Sequence, residues 1–222
     1  MKPNRKWPGS PASNTLPHGR PLSQGPGDSH QQADEAETKE RRYRIEVLSA
    51  PSGDDRAVTS RLARLVNETY RRTERNLLPD DFDRTTPAQV SKLIRENCIA
   101  VAWEGQRIVG CVHSNPLGPD TAAFDMLATA LDHPERDVER ALVNFTERHI
   151  RSSGRTAAQT QLLVPRFRPD PAKTRLAAWY DELGYARSRR EAVEDIYPDV
   201  AAALMNASDV VTYRKYLVPS TQ

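Results

Sequence analysis

Cysteine is nearly absent from this 222-residue chain: Cys98 and Cys111 are the two, too few for a disulfide framework or a cysteine-based metal cluster. Both fall in apolar, strand-like runs, where cysteine is most often a small buried hydrophobe. The five histidines show no paired spacing of the kind a metal site uses, so no metal is expected. His113 alone is placed to face a cleft from the end of a strand, or else to serve as a hydrogen-bonded structural residue. No apolar run approaches the ~20 residues of a bilayer span, and the N-terminal stretch has no apolar core of the secretory type. Basic and acidic residues number 32 and 30 and form no long basic run, so neither nucleic acid nor an anionic membrane surface is expected as the main partner. A soluble, cytoplasmic protein is the expectation, of unknown oligomeric state.

The hydrophobic fraction of 37% supports one ordinary core, which makes one domain plus a tail the economical division. Residues 1–42 are rich in Pro, Gly, Ser, Gln and charge without apolar periodicity, and read as a disordered tail. The segment before Asp28 is weakly basic, as in an organelle-targeting peptide, but its prolines forbid the amphipathic helix such a peptide uses. The domain is expected over residues 43–219. Tyr43 to Leu48 alternates like a strand, and Val58 to Asn76 carries Leu62, Leu65, Val66 and Tyr70 on one helical face. Thr86-Pro87 starts a second helix that turns Val90, Leu93 and Ile94 inward. Cys98 to Trp103 and Arg107 to His113 flank Glu104-Gly-Gln106, a hairpin signature, and Val210 to Leu217 reads as a last strand.

Between these lies a strand, turn and helix. Phe124 to Thr129 is a short apolar run, after which Val138, Leu142, Phe145 and Ile150 recur at helical spacing. Such a connection commonly aims backbone N–H groups at an anion. The register from Leu127-Ala-Thr129 through Pro134-Glu-Arg-Asp-Val-Glu139 resembles the central motif of the GCN5-related N-acetyltransferase (GNAT) family. In that family a Leu-x-Val strand end is followed by Gln/Arg-x-x-Gly-x-Gly/Ala, which cradles the pyrophosphate of coenzyme A. Gln161-Leu-Leu-Val-Pro-Arg166, Pro171-x-Lys173 and Leu176-Ala-Ala-Trp-Tyr-Asp-Glu-Leu-Gly-Tyr185 resemble the fifth strand and fourth helix of a GNAT subgroup.

The resemblance implies an α/β fold with a mixed, mainly antiparallel sheet flanked by helices. It also implies an acyl-CoA-dependent N-acyltransferase that uses acetyl-CoA or another acyl-CoA on a small-molecule amine. Tyr180 then corresponds to the tyrosine that protonates the departing thiolate, and the Thr129 N–H to the donor for the acyl oxygen. Asp125, on the same strand face as Thr129 by period two, is a candidate base for the amine, directly or through water. Leu127 and Thr129 would bind the pantetheine by backbone pairing, and Arg136, Val138, Arg140 and Arg166 are the remaining cofactor-binding candidates. Each has a plainer reading: Trp179 and Tyr180 as the buried face of a helix, Asp125 as an ion-paired strand residue, the arginines as solvated helix faces.

The turn departs from the family pattern in chemistry while keeping its spacing. Asp137 and Glu139 stand where the family has glycines, and a carboxylate there repels a pyrophosphate. Asp132-His-Pro-Glu135 is moreover a capping-box pattern that would start the helix about one turn early and use up the N–H groups. On that reading the turn binds nothing. The alternative function is therefore a GNAT-fold pseudoenzyme binding a protein or small effector, or a repurposed protein that does not use acyl-CoA.

Overall fold

The structure, a computed structural model, describes residues 43–133 and 136–217. The expected disordered tail of residues 1–42 lies outside them.

Caps written in the sequence fix three of the helix starts. Asp55 accepts from the Ala57 and Val58 N–H groups and opens α1 (Arg56–Thr73). Thr86 and Gln89 form a reciprocal capping box at α2 (Pro87–Arg95). Asp170 takes the Ala172 and Lys173 N–H groups ahead of α4 (Pro171–Glu182). Each such cap contributes about 1 kcal/mol by satisfying donors that a helix end leaves over. Helix α3 (Asp137–Ser152) is different: its cap, Arg136, sits in the left-handed region at φ 81° and supplies no side-chain cap bond. The early start anticipated at Asp132 does not occur. The Asp132 carboxylate is instead clamped by the Arg107 guanidinium at 2.7 and 2.8 Å, and a side chain held by a bidentate partner is not available as a cap.

The strands are β1 (Arg44–Val47), β2 (Ile99–Glu104), β3 (Arg107–Pro116), β4 (Thr121–Thr129), β5 (Ala157–Pro165), β6 (Ala186–Ala192) and β7 (Ser208–Tyr216). They form one seven-stranded sheet in the order β1-β2-β3-β4-β5-β7-β6. Every pairing is antiparallel except β4 with β5, which gives the mixed, mainly antiparallel sheet that the resemblance implied. Between β6 and β7 lie two short helices, α5 (Val193–Ile196) and α6 (Pro198–Ala201); neither they nor β6 has a periodic apolar signature.

One sheet face packs under α3 and α4 through Phe124, Leu142, Tyr180, Tyr185 and Tyr213, the other under α1 and α2 through Leu62, Val66, Val90, Ile94 and Val101. A third cluster, with Leu77, Leu163, Tyr197 and Val210, closes the sheet near β5 and β7. Gly110 lets α3 approach β3 closely, since a Cβ there would stand 2.7 Å from Val138 and 2.9 Å from Leu142. Among the described residues no helix is long and apolar enough to cross a membrane.

Candidate active site

The parallel strands β4 and β5 pair only from Thr121 to Ala123, against Ala157 to Gln159. Beyond that they diverge. In β4 the divergence coincides with Met126, a non-glycine residue at φ 50°, a conformation that costs of order 1 kcal/mol and persists where the surroundings impose it. The gap opens into a cavity of about 430 Å³ lined by Asp125, Leu127 and Thr129 from β4, Thr160 to Leu163 from β5, and Tyr180 from α4. A splayed pair of strands leaves backbone N–H and C=O groups facing an opening, where an extended ligand can pair with them.

Tyr180 is 5% exposed and packs edge-on to Phe124 and Tyr185 at centroid distances of 6.4 and 5.9 Å. Burial pushes its phenol up to about 12, against a hydrogen bond with Thr160 that acts in the opposite direction. It is thus protonated throughout the neutral range. The plainer reading of Trp179 and Tyr180 as a buried helix face is also realised, since both belong to the core; Tyr180 lines the cavity as well.

Asp125 is held by His113, with Oδ1 at 2.8 Å from Nδ1. The imidazole is 4% exposed. Burial lowers its pKa, but the bond to Asp125, with the nearby Cys98, outweighs that and brings it to about 10, so the imidazole is protonated at neutral pH; the Cys98 thiol itself donates to the Glu96 carbonyl at 3.3 Å. Asp125 stands on the wall of the first cavity and of a second, about 570 Å³, on the α1–α2 side, and His113 lines the second. Ile99 lies opposite His113 in the sheet, and the Cys98 carbonyl accepts from the Ser114 N–H at 2.8 Å. Cys111 meets the expectation of a buried hydrophobe, its thiol pushed up to about 12 by burial. Cys98 does not: it is half-buried and lines the second cavity.

Thr129 ends β4, where its carbonyl accepts from the Thr69 hydroxyl at 3.0 Å. The next N–H, that of Ala130, bonds to Val109 of β3, and strand alternation turns the Thr129 N–H to the opposite, cavity-side edge. Leu127 lines the same edge. Val138 is fully buried at 1% exposure and anchors α3.

At the far end of the cavity the Arg136 guanidinium lies 4.7 Å over the Trp179 ring and bonds to Glu139 at 3.2 Å. Both Arg136 and Glu139 line the cavity, whereas Arg140 and Arg166 do not. Arg166 is spent on Asp209 at 2.8 Å and Glu194 at 2.9 Å, ties that hold the end of β5 to β7.

A buried charge cluster with no local sequence signature lines the cavity wall. Glu74 bridges Arg84 at 3.1 Å and Lys173 at 3.2 Å, with all three side chains 5–6% exposed. Burial alone would raise the Glu74 pKa, but the two cations hold it below the ordinary carboxylate value. Arg84 also lies 4.3 Å over Tyr70, whose phenol burial pushes far up. Lys173 stands in a recognisable motif. Glu74 and Arg84 are separated by an irregular loop and leave no periodic trace. Among the described residues no group of His, Cys, Asp or Glu could hold a metal ion.

Neither a family profile nor a curated protein sequence matches the chain. Solved structures do. A protein from Desulfovibrio desulfuricans assigned to the acetyltransferases of the GNAT family superposes with a TM-score of 0.53 at 16% identity, covering 79% of this chain and 98% of its own. An N-acetyltransferase from Staphylococcus aureus Mu50 gives 0.57 at 13% identity, covering 79% and 97%. An aminoglycoside 6'-N-acetyltransferase complexed with coenzyme A gives 0.58 at 11% identity, covering 81% and 99%. At these identities the likeness is one of fold, and the fold is that of the GNAT acetyltransferases.

Proposed function

We propose that this chain, which has the GNAT fold, is an acyl-CoA-dependent N-acyltransferase acting on a small amine. The observation that carries the reading is the splay of β4 from β5 with a buried, protonated phenol, Tyr180, lining it. A fold alone does not specify an activity; here an acid, a carboxylate and an open strand edge converge on one cavity.

The residues fit an acyl-CoA unequally along its length. The exposed edge of Leu127 and Thr129 and the facing stretch of β5 suit a pantetheine arm, which strand-like pairing holds with little demand on side chains. At the pyrophosphate end, Arg136 would be the phosphate-directed donor, but Glu139 already occupies it, and Asp137 and Glu139 add negative charge to the first turn of α3. When bound, the thioester supplies an activated acyl carbon.

The protein's part follows from its groups. The Thr129 N–H, fixed at the strand edge, donates to the acyl oxygen as charge builds there. Asp125 takes the proton of the amine, and its bond to His113 sets the carboxylate's orientation. Tyr180 donates to the departing sulfur. A phenol near 12 is a weaker acid than a thiol near ~8.5, so its contribution is a strong hydrogen bond to developing charge before full transfer. The second cavity, across the sheet from α3 and α4 and adjoining the first at Asp125 and Tyr197, is the place for the amine.

The test is release of free thiol from acetyl-CoA by the purified protein with a panel of small primary amines. The reading expects amine-dependent thiol release that Tyr180→Phe slows. A protein that binds coenzyme A and releases no thiol with any amine would contradict it. The Arg136–Glu139 pair favours a second reading, a GNAT-fold binding protein without acyl transfer, which expects no coenzyme A binding at millimolar concentration.

A further inference from the structure

The acidic start of α3 is a poor seat for phosphate, yet the first cavity is not short of cations. Six arginine and lysine side chains line it against four carboxylates. Each carboxylate already has a partner: Glu74 in Arg84 and Lys173, Asp125 in His113, Glu139 in Arg136, and Asp170 in Asn76 and two N–H groups of α4. The cations that remain are Arg72, Arg75 and Arg175. All three are exposed where they line the cavity, which places them at its mouth. None of them makes an ion pair among the described residues, whereas the adjacent Arg71 is paired with Asp83.

Unpaired arginines are ordinary on a protein surface; these three are anchored around one opening. Arg72 lies one helical turn beyond Thr69, whose hydroxyl donates to the Thr129 carbonyl at the end of β4 at 3.0 Å. Arg75 lies between Glu74, which Lys173 of α4 meets at 3.2 Å, and Asn76, which donates at 3.0 Å to the Asp170 carboxylate that caps α4. Those two links pin the segment after α1 against the first turn of α4. Arg175 stands one turn beyond Pro171 and Ala172, which also line the cavity. The backbone of the mouth is thus fixed, and an arriving anion has only side chains to order. Each guanidinium presents a planar fork of N–H donors that matches two phosphate oxygens, and it stays charged at any physiological pH.

We infer that Arg72, Arg75 and Arg175 form a phosphate-binding clamp at the mouth of the first cavity, which takes the phosphate groups of acyl-CoA in place of the acidic turn. The identity of the ligand rests on the proposed function; the clamp itself rests on the arginines. Phosphates held at the mouth leave the pantetheine arm to run inward along Leu127, Thr129 and the facing stretch of β5. Attraction to exposed charges is screened by salt, so the clamp's share of the affinity falls as ionic strength rises.

Calorimetric titration of the full chain with coenzyme A, with pantetheine, which lacks the phosphates, and with inorganic pyrophosphate separates the clamp from the proposed function. Arg72→Gln, Arg75→Gln and Arg175→Gln should each weaken coenzyme A about 5-fold, and the triple variant on the order of 100-fold. Pantetheine should bind the parent and the triple variant alike. The salt dependence of coenzyme A binding should be strong in the parent and nearly absent in the triple variant. Arg61→Gln with Arg64→Gln, at exposed arginines of α1 that do not line the cavity, should change neither affinity nor salt dependence. Melting curves establish that each variant is folded; should the triple variant not fold, the three single variants decide. A folded triple variant that binds coenzyme A as tightly as the parent overturns the clamp and leaves the acyltransferase reading standing. Pyrophosphate binding that the triple variant loses, in a parent that does not bind coenzyme A, keeps the clamp and removes the acyltransferase reading. A parent that binds neither coenzyme A nor pyrophosphate overturns both.

Discussion

The two ends of the β4–β5 cavity are built on opposite principles. At the reactive end, polar groups are buried and each is matched: Tyr180 with Thr160, Asp125 with His113, Glu74 with both Arg84 and Lys173. At the helix end the first turn of α3 carries Asp137 and Glu139, and Arg136 is bound to Glu139. Buried, fully paired polar groups hold their geometry because any unpaired alternative is expensive. A solvated turn tolerates substitution of its charge at little cost in stability. On the proposed function, the cavity therefore joins a strongly determined reaction end to a phosphate end whose affinity is easily altered.

The sharpest way to break the reactive end is to remove its shared carboxylate. Glu74→Ala leaves the buried Arg84 and Lys173 without their counter-ion, and a loss of about 3–5 kcal/mol is expected, read as a fall in the denaturant midpoint. A midpoint unchanged from the parent would mean the cluster relaxes into solvent. Tyr180→Phe should lower kcat about 100-fold, ~2.7 kcal/mol, with KM little changed, because its proton matters only as sulfur departs. The same variant checks whether buried aromatic packing alone explains the residue, since phenylalanine preserves the packing.

At the other end, Asp137→Gly with Glu139→Gly should tighten coenzyme A by about 1–3 kcal/mol, through lost repulsion and release of Arg136. It should also cost up to ~1 kcal/mol of stability per glycine. Calorimetry and melting on the same samples give both numbers. A last test separates the ends by pH. His113 has a folded pKa near 10, above its ordinary value of 6.5, so its contribution to stability is complete below about 6.5 and is lost as pH rises through about 10. His113→Gln should flatten the fall in stability over that window, measured by urea unfolding at several pH values.

Much of this was legible in the chain. The cap at Thr86, the hairpin around Gly105 and the strand–turn–helix after Phe124 are local patterns, and they occur as the spacing predicts. The early start at Asp132 failed because a capping pattern competes with a partner 25 residues away, Arg107, that no local window contains. The same limit hid Glu74 and Arg84, whose union with Lys173 exists only once α1, the loop after it and α4 are packed. Cys98 was misplaced for a related reason. An apolar neighbourhood in sequence does not say which side of the strand end opens on a cavity, and the pairing of Ile99 with His113 decides it. The candidates Tyr180, Asp125, Leu127, Thr129 and Arg136 meet at one cavity, whereas Arg140 and Arg166, picked for charge alone, lie away from it.

The central claim, that the splayed strands hold an acyl-CoA despite the acidic turn, is tested most directly by calorimetric titration of coenzyme A into the full chain and into Glu139→Gln. The account predicts saturable binding by the parent and tighter binding by the variant, in which Arg136 is freed from its carboxylate. No heat of binding for either protein at millimolar ligand would contradict it.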